Sequence, residues 1–252
     1  MQRRIAGRQN LIGLTNDSMQ QTNIHILCTR PLPGWLIQEA AEAGIDIAVI
    51  PFIQTEAIQT VEVQQEIENA LLQSATVVFT SMNAVEAVAA ELEGHKPDWQ
   101  IYCIGTATTK LAVQYFGEAA LANTAADAAA LANLMIEEGV DDEVIFFCGD
   151  KRRDELPDIL QDGGIAVNEI VVYQTIELPN VIEEAYHGIL FFSPSAVRSF
   201  FRKNKPAAAT VLFAIGSTTA AEIKKISNNK IVISDEPGKE NLVQRMIEYF
   251  TT

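Results

Sequence analysis

An α/β fold with mostly parallel sheets, carried twice along one chain, is what the 252-residue sequence predicts. Three observations predict it. Short apolar runs rich in β-branched and aromatic residues recur along the chain, amphipathic helical patterns separate them, and a set of short segments reappears in the same order at nearly constant offsets. Apolar runs without polar alternation suit parallel strands covered on both faces. Strand–helix–strand alternation then makes the sheets parallel.

In order, the strand candidates are Ile24–Thr29, Ile47–Pro51, Thr76–Thr80, Gln100–Ile104, Val144–Cys148, Ala166–Tyr173, Gly188–Phe192, Thr210–Ile215 and Lys230–Ile233. Between them, Val85, Val88, Ala89 and Leu92 follow the i, i+3, i+4, i+7 spacing of a helix face, as do Ala128, Leu131, Ala132 and Met135. A helix is expected over Glu155–Gln161, with Gly163–Gly164 as the turn into the next strand. Leu242, Val243, Met246, Ile247 and Phe250 give the last helix its apolar stripe. Residues 1–23, rich in Gln and Asn with Arg3, Arg4 and Arg8, contain no apolar region of signal-peptide length and read as a disordered tail outside the fold.

The repeats are specific in order. Phe79–Thr80–Ser81–Met82–Asn83–Ala84–Val85 returns as Phe191–Phe192–Ser193–Pro194–Ser195–Ala196–Val197, 112 residues on. Ile104–Gly105–Thr106–Ala107–Thr108 returns as Ile215–Gly216–Ser217–Thr218–Thr219, 111 on. Phe52–Ile53–Gln54–Thr55 matches Val172–Tyr173–Gln174–Thr175, and Ile26–Leu27–Cys28 matches Phe146–Phe147–Cys148, both at 120. Shared order and spacing make these two copies of one unit, roughly Ile24–Glu138 and Val144–Thr252.

Charge limits the partners. Against 33 Asp and Glu stand 18 Lys and Arg, a net charge of −15, which excludes nucleic acid and an anionic membrane surface. No run reaches the roughly 18 apolar residues of a membrane span. Cys28, Cys103 and Cys148 lie in apolar runs and read as small buried hydrophobes kept reduced, as in the cytoplasm. His25, His95 and His187 have no metal-ligand spacing with one another or with a cysteine, so no metal is expected.

Two similar lobes leave a cleft, and open α/β sheets bind ligands beyond the carboxyl ends of their strands. The repeats fall at those ends. Ser81 and Ser193 each end a strand and cap a helix, while Gly105–Thr106 and Gly216–Ser217 do so with a glycine turn. Each junction offers backbone N–H groups, hydroxyls and a positive helix end, which suit a carboxylate or phosphate. One such junction reads as a cap; four, paired between two copies, favour ligand binding.

The series Thr29–Arg30–Pro31, Phe79–Thr80–Ser81–x–Asn83–Ala84–Val85, Ile104–Gly105–x–x–Thr108, Val172–Tyr173–Gln174–Thr175, Phe192–Ser193–Pro194–Ser195 and Ile215–Gly216–x–Thr218–Thr219–Ala220 resembles the uroporphyrinogen-III synthase family, over essentially Ile24 to Phe250. The resemblance implies two similar α/β lobes joined by a two-stranded linker. One lobe is 24–51 plus 178–252, the linker strands are 52–55 and 172–177, and the inserted lobe is 56–171. It implies cyclisation of hydroxymethylbilane, a linear octacarboxylate tetrapyrrole, to uroporphyrinogen III in haem biosynthesis. Water is lost and ring D is inverted through an azafulvene and a spiro intermediate, without a cofactor.

The same resemblance implies roles for residues. Tyr173 assists the departing hydroxyl, since a phenol donates a hydrogen bond without strong acidity. Ser81, Asn83, Gly105, Thr106, Ala107, Arg153, Ser193, Ser195, Gly216, Ser217, Thr218 and Thr219 anchor carboxylates. Arg153 ends the run Lys151–Arg152–Arg153 and can grip a carboxylate bidentately; alternatively the run is a solvated loop. Arg30 faces the cleft or pairs with a surface acid. Met82, Asn83 and Val211 replace residues that are Pro, Arg and Lys in some relatives, so neutral donors carry more of the grip here. A monomer is expected, with the preceding pathway enzyme as a possible contact.

Two rivals differ in class. A two-lobed binding protein for a small carboxylate would share the cleft, but such proteins usually carry a signal peptide. A nucleotide-dependent transferase would need a phosphate loop, and neither G-x-G-x-x-G nor G-x-x-x-x-G-K-[ST] occurs.

Overall fold

The computed structural model describes residues 24–236 and 238–252. The tail assigned to residues 1–23 lies outside the described residues. The chain opens with β1 (Ile24–Cys28), α1 (Gly34–Glu42), β2 (Ile45–Val49), β3 (Ile53–Ala57), α2 (Val61–Leu71), β4 (Ala75–Phe79) and α3 (Met82–Ala89). It continues with β5 (Trp99–Ile104), α4 (Thr106–Phe116), β6 (Leu121–Ala125), α5 (Ala128–Glu138), β7 (Glu143–Gly149) and α6 (Glu155–Asp162). It closes with β8 (Ala166–Glu177), β9 (Gly188–Phe191), α7 (Pro194–Phe201), β10 (Val211–Ala214), α8 (Ser217–Ile226), β11 (Ile231–Ile233) and α9 (Lys239–Thr251).

These strands form two sheets. One has five parallel strands in the order β2-β1-β9-β10-β11. The other has six, β3-β8-β7-β4-β5-β6, all parallel except the β3–β8 pair. Alternate strand residues feed opposite faces: Ile26 and Cys28 pack with Leu190, Phe213 and Met246, while Leu27 packs with Phe191, Phe200 and Ile223. The six-stranded sheet is covered the same way, by Phe79, Phe147 and Trp99 on one face and Val78, Phe146 and Leu131 on the other. Burial on both faces is the physical reason the central strands read as continuous apolar runs.

The two sheets have one strand order. Leaving out the edge strand β3, the six-stranded sheet reads β8-β7-β4-β5-β6, which matches β2-β1-β9-β10-β11 position for position. This pairs β7 with β1, β4 with β9 and β5 with β10, the pairings that the sequence repeats make. The second copy is therefore a circular permutation of the first, so sequential repeat units and sheets do not coincide.

The apolar runs mark neither of two strands: β3, expected at 52–55 from the resemblance alone, and β6, which was not expected. Both β3 and β6 are edges of the six-stranded sheet. Ile53–Ala57 is mostly exposed and Leu121–Ala125 alternates exposed with half-buried positions, so neither shows an apolar run. Strand β8 also extends past Tyr173 to Glu177, because its last residues pair antiparallel with β3, Thr55 opposite Thr175 and Ala57 opposite Tyr173. The matched segments 52–55 and 172–175 thus lie on neighbouring strands and meet at Thr55 opposite Thr175. As expected, all three cysteines are buried and free, and burial pushes the Cys103 thiol up to about 12.

Candidate active site

Every repeated junction sits at the carboxyl end of its sheet, but the four are built in two ways. Ser81 caps α3, accepting from the Asn83 amide at 3.2 Å, and Ser193 caps α7, accepting from the Ala196 amide at 3.2 Å. Each hydroxyl keeps its own proton to donate. Helices α4 and α8 instead begin at Gly105 and Gly216 with no side-chain cap, leaving first-turn N–H groups open. Gly105 has φ +77°, a conformation other residues adopt at a cost. Thr106, Ala107, Ser217 and Thr218 are exposed around these open ends.

Two anchoring residues are placed differently. Thr219 is 1% exposed, on the buried side of α8 with Ala220 and Ile223. Ser195 is 7% exposed and its Oγ accepts from Arg198 Nη2 at 3.1 Å. Helical periodicity turns both inward, so they support the junction from behind.

The basic run separates into distinct fates. Arg152 is paired with Glu169 and Asp154, and these contacts, Glu169 first, hold its guanidinium above the ordinary arginine value. Lys151 pairs with Asp150 at 3.2 Å. Arg153 reaches the other sheet, donating from Nη2 to Thr218 Oγ1 at 3.4 Å. This contact bridges the loop after β7 and the first turn of α8.

Tyr173 lies on β8 beside Gly149, the last residue of β7. A Cβ at Gly149 would stand 2.3 Å from Tyr173 Cζ, so the phenol ring occupies space that only glycine leaves. Among the described residues the Tyr173 hydroxyl makes no hydrogen bond. The ring faces a cavity of about 160 Å³ with Thr55, Asn83 and Glu86, where Thr55 Oγ1 donates to Asn83 Oδ1 at 3.4 Å.

Sequence reasoning missed several neighbours. Lys110 and Thr109 join Gly105 and Thr106 around a hollow of about 390 Å³, and Thr109 Oγ1 donates to the Gly105 carbonyl at 2.9 Å. Lys110 follows Thr106 by one helical turn, as Glu86 follows Asn83, a spacing that shares a helix face.

A family model described as uroporphyrinogen-III synthase HemD matches residues 36–244. The chain belongs to this family. The family's activity is a cofactor-independent, cyclising lyase reaction of tetrapyrrole synthesis, with hydroxymethylbilane as substrate. Two solved structures share the fold. The uroporphyrinogen-III synthetase of Helicobacter pylori 26695 is 14% identical, with 90% of this chain and 99% of that chain covered and a TM-score of 0.63. A mutant uroporphyrinogen III synthase from the extremely thermophilic bacterium Thermus thermophilus is 15% identical, with 90% and 97% covered and a TM-score of 0.59. No helix among the described residues is long and apolar enough to cross a membrane.

Proposed function

We propose that this uroporphyrinogen-III synthase family chain binds hydroxymethylbilane between its two sheets and closes it to uroporphyrinogen III. The lobes of this reading are 24–51 with 178–252, and 56–171, connected by 52–55 and 172–177. The observation that supports it is the Arg153–Thr218 contact at 3.4 Å, which joins the loop after β7 of one sheet to the first turn of α8 on the other. A flexible polyanion must be folded until its ends meet, and anchors on both sides accomplish that by positioning.

In this reading the open N-termini of α4 and α8, with Thr106, Ala107, Ser217 and Thr218, hold carboxylates on opposite lobes. Ser81, Ser193 and Asn83 add neutral donors, and Arg153 exchanges Thr218 for a substrate carboxylate. Thr219 and Ser195 act through the backbone they brace. The Tyr173 hydroxyl donates to the terminal hydroxyl as its C–O bond breaks and water leaves. The resulting azafulvene cation is attacked by the substituted carbon of ring D, giving the spiro intermediate; the original bond from that carbon to the ring C methylene then breaks, and the freed methylene cation is taken by the other α-carbon of ring D with loss of a proton, which leaves the ring inverted. The chain works as a cytoplasmic monomer without nucleic-acid or membrane contacts.

The test is to supply hydroxymethylbilane and separate the type I and type III isomers. Spontaneous closure yields type I, so an excess of type III is expected. Its absence would end this reading and leave the two-lobed carboxylate binder.

A further inference from the structure

A second polar bridge, besides Arg153–Thr218, crosses between the two sheets. It starts from Glu177, the last residue of β8, which lies opposite Ile53 of β3. Helix α7, which follows β9 of the five-stranded sheet, packs against both β3 and β8. Ser195, Arg198 and Arg202 follow the i, i+3, i+7 spacing of one face of α7. Arg202 Nη2 stands 2.8 Å from Glu177 Oε2, and Arg198 Nε stands 3.7 Å from Glu177 Oε1. Glu177 Oε2 is buried and, among the described residues, has no hydrogen-bond donor aligned with it, so these cations are what offset its burial. The other nitrogens of Arg198 reach two more elements. Nη2 donates to Ser195 Oγ at 3.1 Å in the first turn of α7, and Nη1 donates to Glu222 Oε1 at 3.5 Å on α8. Glu222 follows Thr218 by one helical turn. On β8, Tyr173, Thr175 and Glu177 alternate onto one face. One guanidinium therefore touches the Tyr173 strand, the start of α7 and the turn behind Thr218.

We infer that Arg198 is a positioning residue, which with Arg202 fixes the Tyr173 strand relative to the starts of α7 and α8. This rests on the reading that Tyr173 and those helix starts act on one hydroxymethylbilane. Past Tyr173, β8 is paired with β3 alone, and a two-stranded ribbon is only marginally stable by itself. Something outside the ribbon must set where its residues stand against the helices of the other sheet. Arginine suits that task because its planar fork serves three partners at once, where lysine offers a point charge. The arginine side chains are 40% and 62% exposed, so the pairs add little to global stability. Their effect falls on placement, where an error of about 1 Å can cost about a hundredfold in rate.

The test uses Arg198→Met, Glu177→Gln and Arg198→Lys. Lys225→Met serves as control, since Lys225 also pairs with Glu222 but lies on the same helix. Arg198→Met and Glu177→Gln should each lower kcat for type III formation about tenfold and leave KM within about twofold. Their urea midpoints should stay near wild type, and Arg198→Lys should recover part of the rate. Arg198→Met should cost far less in a Tyr173→Phe background than in wild type, because the placement then serves no hydroxyl. A readout without turnover comes from nitroxide labels on Glu66→Cys in α2 and Lys224→Cys in α8, both exposed, the native cysteines being buried. The distance between these labels should shift or broaden in Arg198→Met and not in Lys225→Met. Wild-type kcat in both Arg198→Met and Glu177→Gln would overturn the inference. So would an equal loss in Lys225→Met, or an undiminished loss on top of Tyr173→Phe. A wild type that makes no type III excess, yet whose label distance moves in Arg198→Met, would reject the synthase reading and leave the brace standing.

Discussion

Tyr173 and Gly149 are two halves of one local decision. The ring lies where a Gly149 side chain would be, and its hydroxyl is left free among the described residues. Removing that hydroxyl takes away one hydrogen bond to a leaving group, so Tyr173→Phe should slow type III formation about ten- to a hundredfold without abolishing it. Gly149→Ala attacks the same function from behind, because its Cβ cannot coexist with the ring. It should lower stability by about 1–3 kcal/mol and turnover at least as much as Tyr173→Phe, measured by urea titration and isomer assay together. A Gly149→Ala enzyme as active as wild type would mean that the ring position is irrelevant. Tyr173 was named in the sequence through the family resemblance, whereas Gly149 was not. The glycine's reason is a contact across two strands, and no local pattern encodes it.

At the level of elements, helix ends do the work that side chains alone could not. The capped starts of α3 and α7 are fixed by their own serines, while α4 and α8 leave amides open for a ligand. Ser and Gly at these positions were readable in advance; the inward turn of Thr219 and Ser195 follows only from which helix face meets the sheet. Further along, α7 and α8 are tied to each other and to the end of β8. Arg202 pairs with Glu177 at 2.8 Å, Arg198 with Glu222 at 3.5 Å, and Lys225 with Glu222 at 2.8 Å. Lys225 first, with Arg198, holds the Glu222 carboxyl below its ordinary value. A depressed carboxylate contributes stability above its unfolded pKa, about 4.3, and loses it as pH falls through the folded value. Glu222→Gln should therefore cost less than about 1 kcal/mol at pH 7, the range of exposed pairs. The gap from wild type should close as pH falls below the unfolded value and through the lower folded one, followed by thermal melts across pH. A gap that persists there would assign the loss to packing.

Over the whole molecule, two sheets of one strand order carry cores that share no buried residue. Phe147 packs on Phe79 and Trp99 in the six-stranded sheet. Phe147→Ala should cost about 3–5 kcal/mol there and lower hydrogen-exchange protection across β4, β5 and β7, while β9 and β10 stay protected. Uniform loss of protection would show that the sheets unfold as one. The net charge of −15 belongs to this scale as well. It describes the solvated exterior and repels extended polyanions.

Composition, apolar periodicity and the repeats determined by themselves that the chain is α/β, that it holds two related units, and which Ser, Thr and Gly residues end the strands. Those features are local or periodic, and burial on both faces of a strand writes them directly into the sequence. Tertiary structure decided the rest. It made β3 and β6 strands despite their polarity, because an edge needs only one hydrogen-bonded neighbour and little burial. It showed the second unit to be a circular permutation of the first, since strand order is fixed by which edges pair and not by chain order. It also parted three adjacent cations, since Lys151 and Arg152 pair with nearby acids while Arg153 donates to Thr218 on α8.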